Sequence, residues 1–168
     1  DAYPFKYKYR SPMKGTAGLS FYLKEHGFFS IDYEFLNYGS SHYNFGSDYK
    51  NFTDQVNAEE KKYYTFGHIV RAGFEGSYKT LRLRTGYAFS STPFKKDFIT
   101  KGFAEARHNF SFGIGYRGKN FYADFAYVFG ITKDASSPYA DFVVKNTVTS
   151  HNLFLTLGFK ISKDQTTT

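Results

Sequence analysis

An alternation of apolar and polar residues with a period of two runs through most of the chain, and it limits the possible folds more than any other feature. In residues 109–117, for example, Phe110, Phe112, Ile114 and Tyr116 alternate with small or polar residues. Successive side chains of a β-strand point to opposite faces of the sheet, so this pattern predicts strands with one apolar face. Helical periodicity is nearly absent, and we therefore predict an all-β protein.

Eight segments show this alternation, and the connections between them alternate between short and long. Antiparallel strands in even number, with short turns at one end and long loops at the other, are typical of outer-membrane barrels. We therefore predict an antiparallel transmembrane β-barrel with eight strands in residues 1–161, the first at 3–10, and a polar tail at 162–168. The predicted short turns are 25–27, 77–79 and 118–120, and the predicted long loops are about 39–62, 91–107 and 132–149.

The composition narrows the class of protein further. Aromatic residues make up 22% of the 168 residues, with 21 Phe, 16 Tyr and no Trp, which is too much ring surface for a disordered chain. No apolar run approaches the roughly 18 residues that a membrane-spanning helix needs. A membrane barrel remains open, because only every second residue of its strands has to be apolar. The absence of cysteine excludes disulfides, thiol catalysis and cysteine-ligated zinc.

The two predicted faces differ in the way that a membrane barrel requires. One face is rich in aromatics, and tyrosines recur near strand ends, where amphipathic rings would lie at the headgroup level of a bilayer. The other face carries charges suited to a hydrated lumen, with ion pairing inside the barrel as the alternative role. The candidate lumen-lining residues are Arg71, Arg82, Arg84, Arg117, Asp32, Glu34 and Asp124, and the candidate membrane-interface aromatics are Tyr9, Tyr38, Tyr64 and Tyr87.

Two alternative classes share parts of this pattern. A soluble lipocalin-like barrel alternates in the same way but places Phe and Leu inside, and it stays open as a lipophile-binding alternative. The net charge of +7 raises nucleic acid as a partner. Single-strand binding requires rings and basic residues on one face, whereas here they occupy opposite faces. We predict no nucleic-acid partner, and loop lysines such as Lys61 and Lys95 are instead suited either to anionic headgroups or simply to solvation by water.

Motifs that would indicate catalysis are absent or misplaced. Residues 113–118 match G-x-G-x-x-G, but they lie in a predicted strand rather than before a helix, so we interpret their glycines as space-saving lumen positions. The chain has no G-x-S-x-G motif and no P-loop. Its histidines show no i, i+4 pairing typical of a metal site. We predict no enzyme activity, cofactor or metal; the histidines are His26, His42, His68, His108 and His151.

Several segments, in order, resemble the C-terminal half of the FadL/OmpP1/TodX family of outer-membrane transport proteins, especially its Bacteroidetes forms. Residues 29–38 (FSIDYEFLNY) are similar to the family pattern S-x-D-Y-E-x-x-x-Y, and residues 81–88 (LRLRTGYA) to LRAGYAY. Residues 112–117 with 121–128 are similar to GIGYR followed by DLAYV. Weaker similarities continue at residues 10–12, 18–23, 137–139 and 155–160.

This resemblance implies passage of hydrophobic small molecules, such as fatty acids or aromatic hydrocarbons, across the bacterial outer membrane by binding and diffusion. Family members are longer, form a fourteen-stranded barrel and carry an N-terminal hatch that the present sequence lacks. The chain is therefore expected to contribute eight strands beside a further barrel segment or partner chain. The alternative is a closed eight-stranded structural or adhesive barrel that acts through its long loops, since so small a barrel has an interior filled by side chains.

Overall fold

A computed structural model of the chain describes residues 6–95, 106–139 and 142–160, and most of these residues lie in antiparallel β-sheet. The predicted all-β class is confirmed. The elements are β1 (Lys8–Arg10), β2 (Met13–Tyr22), β3 (Gly27–Asn37), β4 (His42–Asn44), α1 (Lys50–Tyr63), β5 (Phe66–Tyr78), β6 (Leu81–Ser90), β7 (Arg107–Arg117), β8 (Phe121–Tyr139) and β9 (Phe142–Phe159). Seven strands form one sheet in the order β2-β3-β5-β6-β7-β8-β9.

The register of this sheet preserves the alternation of the sequence across all seven strands. Asp32 pairs with Arg71, Arg71 with Ala88, Ala88 with Asn109, and Asn109 with Gly130, so this row is small, polar or charged. Paired residues lie on the same face of a sheet. One face of the sheet is therefore polar and charged, and the other is apolar.

The apolar face is uncovered. Leu155 exposes 70% of its surface, Leu19 65%, Leu83 58% and Phe112 56%. Among the described residues no hydrophobic side chain is buried, so this part of the chain has no hydrophobic core. The sheet is a single layer, whereas soluble domains bury such a face against a second layer.

The polar face lies on the inside of the curve of the sheet. Glycines on this face leave room for the side chains opposite them: a Cβ on Gly86 would lie 2.6 Å from Ser111 Oγ, and a Cβ on Gly115 would lie 2.5 Å from Asp124 Oδ1. A cavity of about 740 Å³ lies largely against this face, whereas a cavity on the apolar face has about 240 Å³. The apolar face is therefore convex.

The number and closure of the strands differ from the expectation of eight in one barrel. The predicted first strand leaves the sheet, because β1 pairs with β4 in a separate two-stranded sheet; residues 1–5 lie outside the described residues. Pro12 has no N–H for a ladder and separates β1 from β2. Tyr9 also packs against Tyr43 of β4, with ring centroids 4.6 Å apart and the ring planes tilted by 39°. No ladder joins β2 to β9 within the described ranges, so these residues form an open sheet.

The predicted loop at 39–62 contains β4 and the helix α1. One stripe of the helix, formed by Thr53 and Asn57, is buried. Asn57 accepts a hydrogen bond from the N–H of Tyr43 at 2.8 Å and donates to the carbonyl oxygens of Tyr43 at 2.9 Å and of Thr53 at 2.8 Å. Lys61 and Lys62 in the last turn complement the helix dipole. We call residues 38–64 together with β1 the cap.

The predicted loop at 132–149 is largely strand. β8 and β9 continue their ladder from Thr132↔Val148 to Ser136↔Val144, beyond the last clear alternation. Residues 144–149 include four β-branched side chains, which favour strand even without an apolar face. Of the predicted loop at 91–107, residues 96–105 lie outside the described residues, as does the predicted tail at 162–168. Within the described part of the chain, no helix is long and apolar enough to cross a bilayer.

Candidate functional site

An ion-pair network of five side chains lies on the concave face near the short turns. Arg84 Nε lies 2.6 Å from Glu75 Oε2, and Arg84 Nη1 lies 2.7 Å from Asp124 Oδ1. Arg117 Nη1 lies 2.9 Å from Asp124 Oδ2, and Arg82 Nε lies 3.7 Å from Glu75 Oε1. Three guanidinium groups face two carboxylates, so the network carries a net charge of +1.

Glycines of β7 make this network possible. Arg84 on β6 pairs with Gly113 on β7, and Asp124 on β8 pairs with Gly115. Because these two positions have no side chain, the guanidinium of Arg84 reaches across β7 to a carboxylate two strands away. The interpretation of the G-x-G segment as space-saving positions on the polar face agrees with this geometry.

A second group of charges lies farther from the short turns on the same face. Glu34 is buried, and its carboxylate lies 3.2 Å from Lys14 Nζ and 3.4 Å from Arg71 Nη1. Asp32 lines the same cavity as Arg71 but has no ion pair within 4.0 Å among the described residues. The structure thus brings all seven predicted lumen residues to one face, and it pairs six of them.

These ion pairs are accessible to water. The side chains of Arg84, Arg117 and Asp124 are 37%, 29% and 20% exposed, and that of Arg71 is 47% exposed. Ion pairs with this exposure are screened by solvent and each contributes about 1 kcal/mol or less. The cavity over them, at about 740 Å³, has the size of a site for a small organic molecule. The guanidinium groups can therefore exchange one carboxylate partner for another.

The four predicted interface tyrosines lie in three different places. Tyr87 is on the apolar face of the sheet, as a barrel exterior requires. Tyr38 and Tyr64 meet at the end where the long connections lie, with ring centroids 6.3 Å apart, and Tyr64 also packs on Phe94. Tyr9 lies in the cap outside the seven-stranded sheet, where partial burial and then the neighbouring phenol of Tyr43 raise the pKa of Tyr9 above its ordinary value.

Sequence reasoning missed three histidines that pair with tyrosines on the apolar face. From the sequence alone, the histidines are isolated residues that form no metal site. In the structure, three of them contact a tyrosine hydroxyl through Nδ1. A signal of low specificity was present: the tripeptide Tyr-x-Phe occurs six times in the sequence, and at 33–35, 87–89 and 127–129 the next strand in the main sheet carries one histidine. The pairs are Tyr33–His68, Tyr87–His108 and Tyr127–His151.

The described geometry defines a class of structure, namely a single-layered antiparallel sheet with a convex apolar face and a concave charged face. Within the described ranges, no group of three or more His, Asp or Glu side chains could hold a metal ion. Comparisons of the chain with protein families, with curated proteins and with solved structures found no match.

Proposed function

We propose that this chain forms part of the wall of an outer-membrane β-barrel that passes hydrophobic small molecules by binding and diffusion. The observation that carries the proposal is the uncovered convex face, combined with the absence of a buried apolar side chain among the described residues. Burying a Leu or Phe side chain contributes about 2 kcal/mol. The described parts of the strands expose fourteen Leu and Phe side chains on this face. Leaving them in water would forfeit tens of kcal/mol, so this face requires an apolar partner.

Lipid is the partner that fits the shape of the sheet. β2, β3, β6 and β7 have 10 or 11 residues each, which is the length of a strand that crosses a bilayer at a tilt. A soluble lipocalin-like barrel would place its phenyl rings on the concave face. Here the concave face holds the charges, which favours a hydrated lumen and a lipid-facing exterior.

The edges of the sheet support a barrel larger than the described strands. β2 and β9 are both edge strands, and exposed edges are templates for further pairing. In a bilayer the edge N–H and C=O groups must be satisfied within the protein, so additional strands from a further segment or partner chain must close the barrel. This agrees with the larger barrel that the family resemblance implies.

The substrate class follows from the concave face together with that resemblance. A fatty acid presents a carboxylate, and Arg71, Arg84 and Arg117 present guanidinium groups that can bind it bidentately. Arg84 contacts Glu75 and Asp124 together, and each of these carboxylates also lies near a second arginine, so an incoming carboxylate replaces one partner without leaving a charge unpaired. Passage therefore needs no chemistry, only exchange of ion-pair partners along the wall.

Uptake of a fluorescent long-chain fatty acid by cells that produce the intact native protein tests this function. Arg84→Ala should lower the initial uptake rate, because it removes the guanidinium that bridges two carboxylates. Arg107→Ala is the matched control: Arg107 lies at the far end of β7, and its Nε contacts Thr132 Oγ1 at 3.2 Å rather than a carboxylate. Equal amounts of each variant in the outer membrane must be established by immunoblot.

Two results would contradict the proposal in different ways. If the protein fractionates without the membrane and stays dispersed without detergent, the barrel itself is wrong. If the protein is in the outer membrane but uptake is unchanged by deletion of its gene, the transport role is wrong and the barrel stands.

One observation favours a second function, a structural or adhesive barrel that acts through its long connections. The cap has its own buried polar contacts, and it exposes Tyr49 and Phe52 by about half of their surface, at 52% and 50%. Deleting residues 41–62 distinguishes the two functions. Loss of cell attachment with normal uptake supports adhesion, and loss of uptake with normal attachment supports transport.

A further inference from the structure

Three tyrosine–histidine pairs repeat with the same geometry on the convex face. Tyr33 Oη lies 2.8 Å from His68 Nδ1, Tyr87 Oη 2.8 Å from His108 Nδ1, and Tyr127 Oη 2.7 Å from His151 Nδ1. Each pair joins two adjacent strands, namely β3 with β5, β6 with β7, and β8 with β9. The contact is diagonal in every case, because the residue directly opposite each histidine is a phenylalanine: Phe35, Phe89 and Phe129.

The three pairs lie at the same distance from the short-turn end of the sheet. Tyr33, Tyr87 and Tyr127 are each the seventh residue of their strands, β3, β6 and β8. Along the ladders, however, Tyr33 aligns with Phe89 through Val70, which is two residues beyond Tyr87. The first residues of β3 and β6 show the same shift of two residues. Gly27 aligns through Gly76 with Leu83, which is two residues beyond Leu81, the first residue of β6.

This step is the one that a tilted barrel sheet requires. The register shifts by two residues over two strands, which is one residue per strand. One residue rises about 3.3 Å along a strand and neighbouring strands lie about 4.8 Å apart, so this shift corresponds to a strand tilt of about 35°. Strands of membrane barrels tilt by about 35–45°. At this tilt, the three pairs form a horizontal ring parallel to the short-turn edge.

The ring lies at the upper boundary of the apolar surface. His108 is nine residues from the end of β7 at Arg117, and nine residues at this tilt span about 24 Å of height. The apolar band of a membrane barrel is about 25 Å tall. Below the ring the convex face carries residues such as Phe74, Ile114 and Leu155, and above it lie Lys133 and Lys145.

We propose that this ring binds the phosphate groups of lipid headgroups in the leaflet on the side of the long connections; the inference rests on the membrane barrel proposed above. When the phenol donates its proton to Nδ1, the neutral imidazole carries its own proton on Nε2 and can donate it to a phosphate oxygen. Each pair therefore presents one oriented donor at headgroup level. Lys133, which is exposed above the ring, adds positive charge on the same side.

The depth of the ring can be measured with single tryptophans, because the chain has none of its own. Phe35→Trp, Phe89→Trp and Phe129→Trp each report from beside one pair, and Leu83→Trp reports from near the short turns. In bilayers with lipids brominated at different depths, we expect the first three to be quenched at one shared depth close to the headgroups and Leu83→Trp in the opposite leaflet. Three different depths would overturn the ring. No quenching in any variant would overturn the membrane barrel itself.

Phosphate recognition has a separate test by ¹⁵N NMR of the histidine side chains. We compare bilayers of phosphatidylcholine with bilayers of galactosyl diacylglycerol, which carries no phosphate. The Nε2 shifts of His68, His108 and His151 should differ between the two lipids, and that of His42 in the cap should not. Inorganic phosphate added to the galactolipid should not restore the phosphatidylcholine shifts; if it does, free phosphate rather than lipid is bound. In a protein shown by quenching to be inserted, identical shifts in both lipids would overturn the headgroup role alone.

Discussion

Removing the carboxylate of Asp124 should destabilise the sheet through loss of two ion pairs. Its oxygens lie 2.7 Å from Arg84 Nη1 and 2.9 Å from Arg117 Nη1. A hydrogen bond to a charged group contributes about 1.5–3 kcal/mol when it is shielded. The three side chains are 20–37% exposed, which brings each pair close to the range for surface ion pairs. For Asp124→Asn we therefore expect a loss of about 1–2 kcal/mol in the free energy of unfolding.

Salt dependence separates this electrostatic loss from a loss of packing. Asp124→Asn leaves three guanidinium groups beside the single carboxylate of Glu75, so repulsion adds to the lost attraction. The Debye length falls from about 10 Å at 0.1 M salt to about 3 Å at 1 M. Urea unfolding of the protein in detergent micelles, followed by circular dichroism, should show a smaller difference from the wild type at the higher salt concentration.

Asp32→Asn is the matched control for Asp124→Asn. It makes the same chemical change on the same concave face, but Asp32 has no ion pair within 4.0 Å among the described residues. Its effect should stay within about 0.5 kcal/mol. The reasoning is refuted if both variants lose the same stability, or if the loss at Asp124 is unchanged in 1 M salt.

Two further predictions concern backbone strain and buried polar contacts. Gly27→Ala should lower the free energy of unfolding by at least about 2 kcal/mol, because Gly27 has φ +145° and the new Cβ would collide with the carbonyl oxygen of Glu75. Gly46 has φ +97° but lies in open space, so Gly46→Ala should lower the free energy of unfolding only by the backbone strain, about 1 kcal/mol. Chemical denaturation measures both, and equal losses would contradict the role of the collision. Asn57→Ala removes three hydrogen bonds, so proteolysis and hydrogen exchange of the cap should become faster while the seven-stranded sheet keeps its protection. Asn51 is exposed on the same helix, and Asn51→Ala should change neither the proteolysis nor the hydrogen exchange of the cap.

The strands of the main sheet could be predicted because their alternation is long and regular. A period of two over about ten residues has only one solution with a consistent apolar face, and its interruptions predict hairpin turns at 25–27, 77–79 and 118–120. In the structure the first two turns lie at 23–26 and 79–80, and the third lies at 118–120 as predicted. The expected loop at 132–149 differs from the observed strands because its residues favour strand through β-branching rather than through alternation. In the cap, β1 lies within the predicted first strand, but β4 was missed because three residues are too few for a periodic signal. The helix α1 was missed because the buried residues of its stripe, Thr53 and Asn57, are polar and give no apolar helical period.

The sequence predicted which charged residues share the polar face, but it did not predict which of them contact each other. Alternation alone assigns Arg84 and Asp124 to the polar face, because the apolar residues of their strands, such as Leu81, Leu83 and Tyr87 or Phe121, Ala123 and Phe125, lie at the positions of opposite parity. Their contact depends on Gly113 and Gly115 lying between them on β7, which is a consequence of pairing register. No local pattern in the sequence specifies which residues of two strands lie opposite each other.

The sequence by itself determined the strands, the two faces and the short hairpins, because these depend on interactions between residues close in the chain. Tertiary structure alone decided the departure of β1 from the sheet, the pairing of Arg84 with both Glu75 and Asp124, and the level ring of Tyr33, Tyr87 and Tyr127 with their histidines. These features depend on register and tilt, which arise only when strands far apart in the chain pair side by side, since a shift of two residues keeps every face and changes every partner.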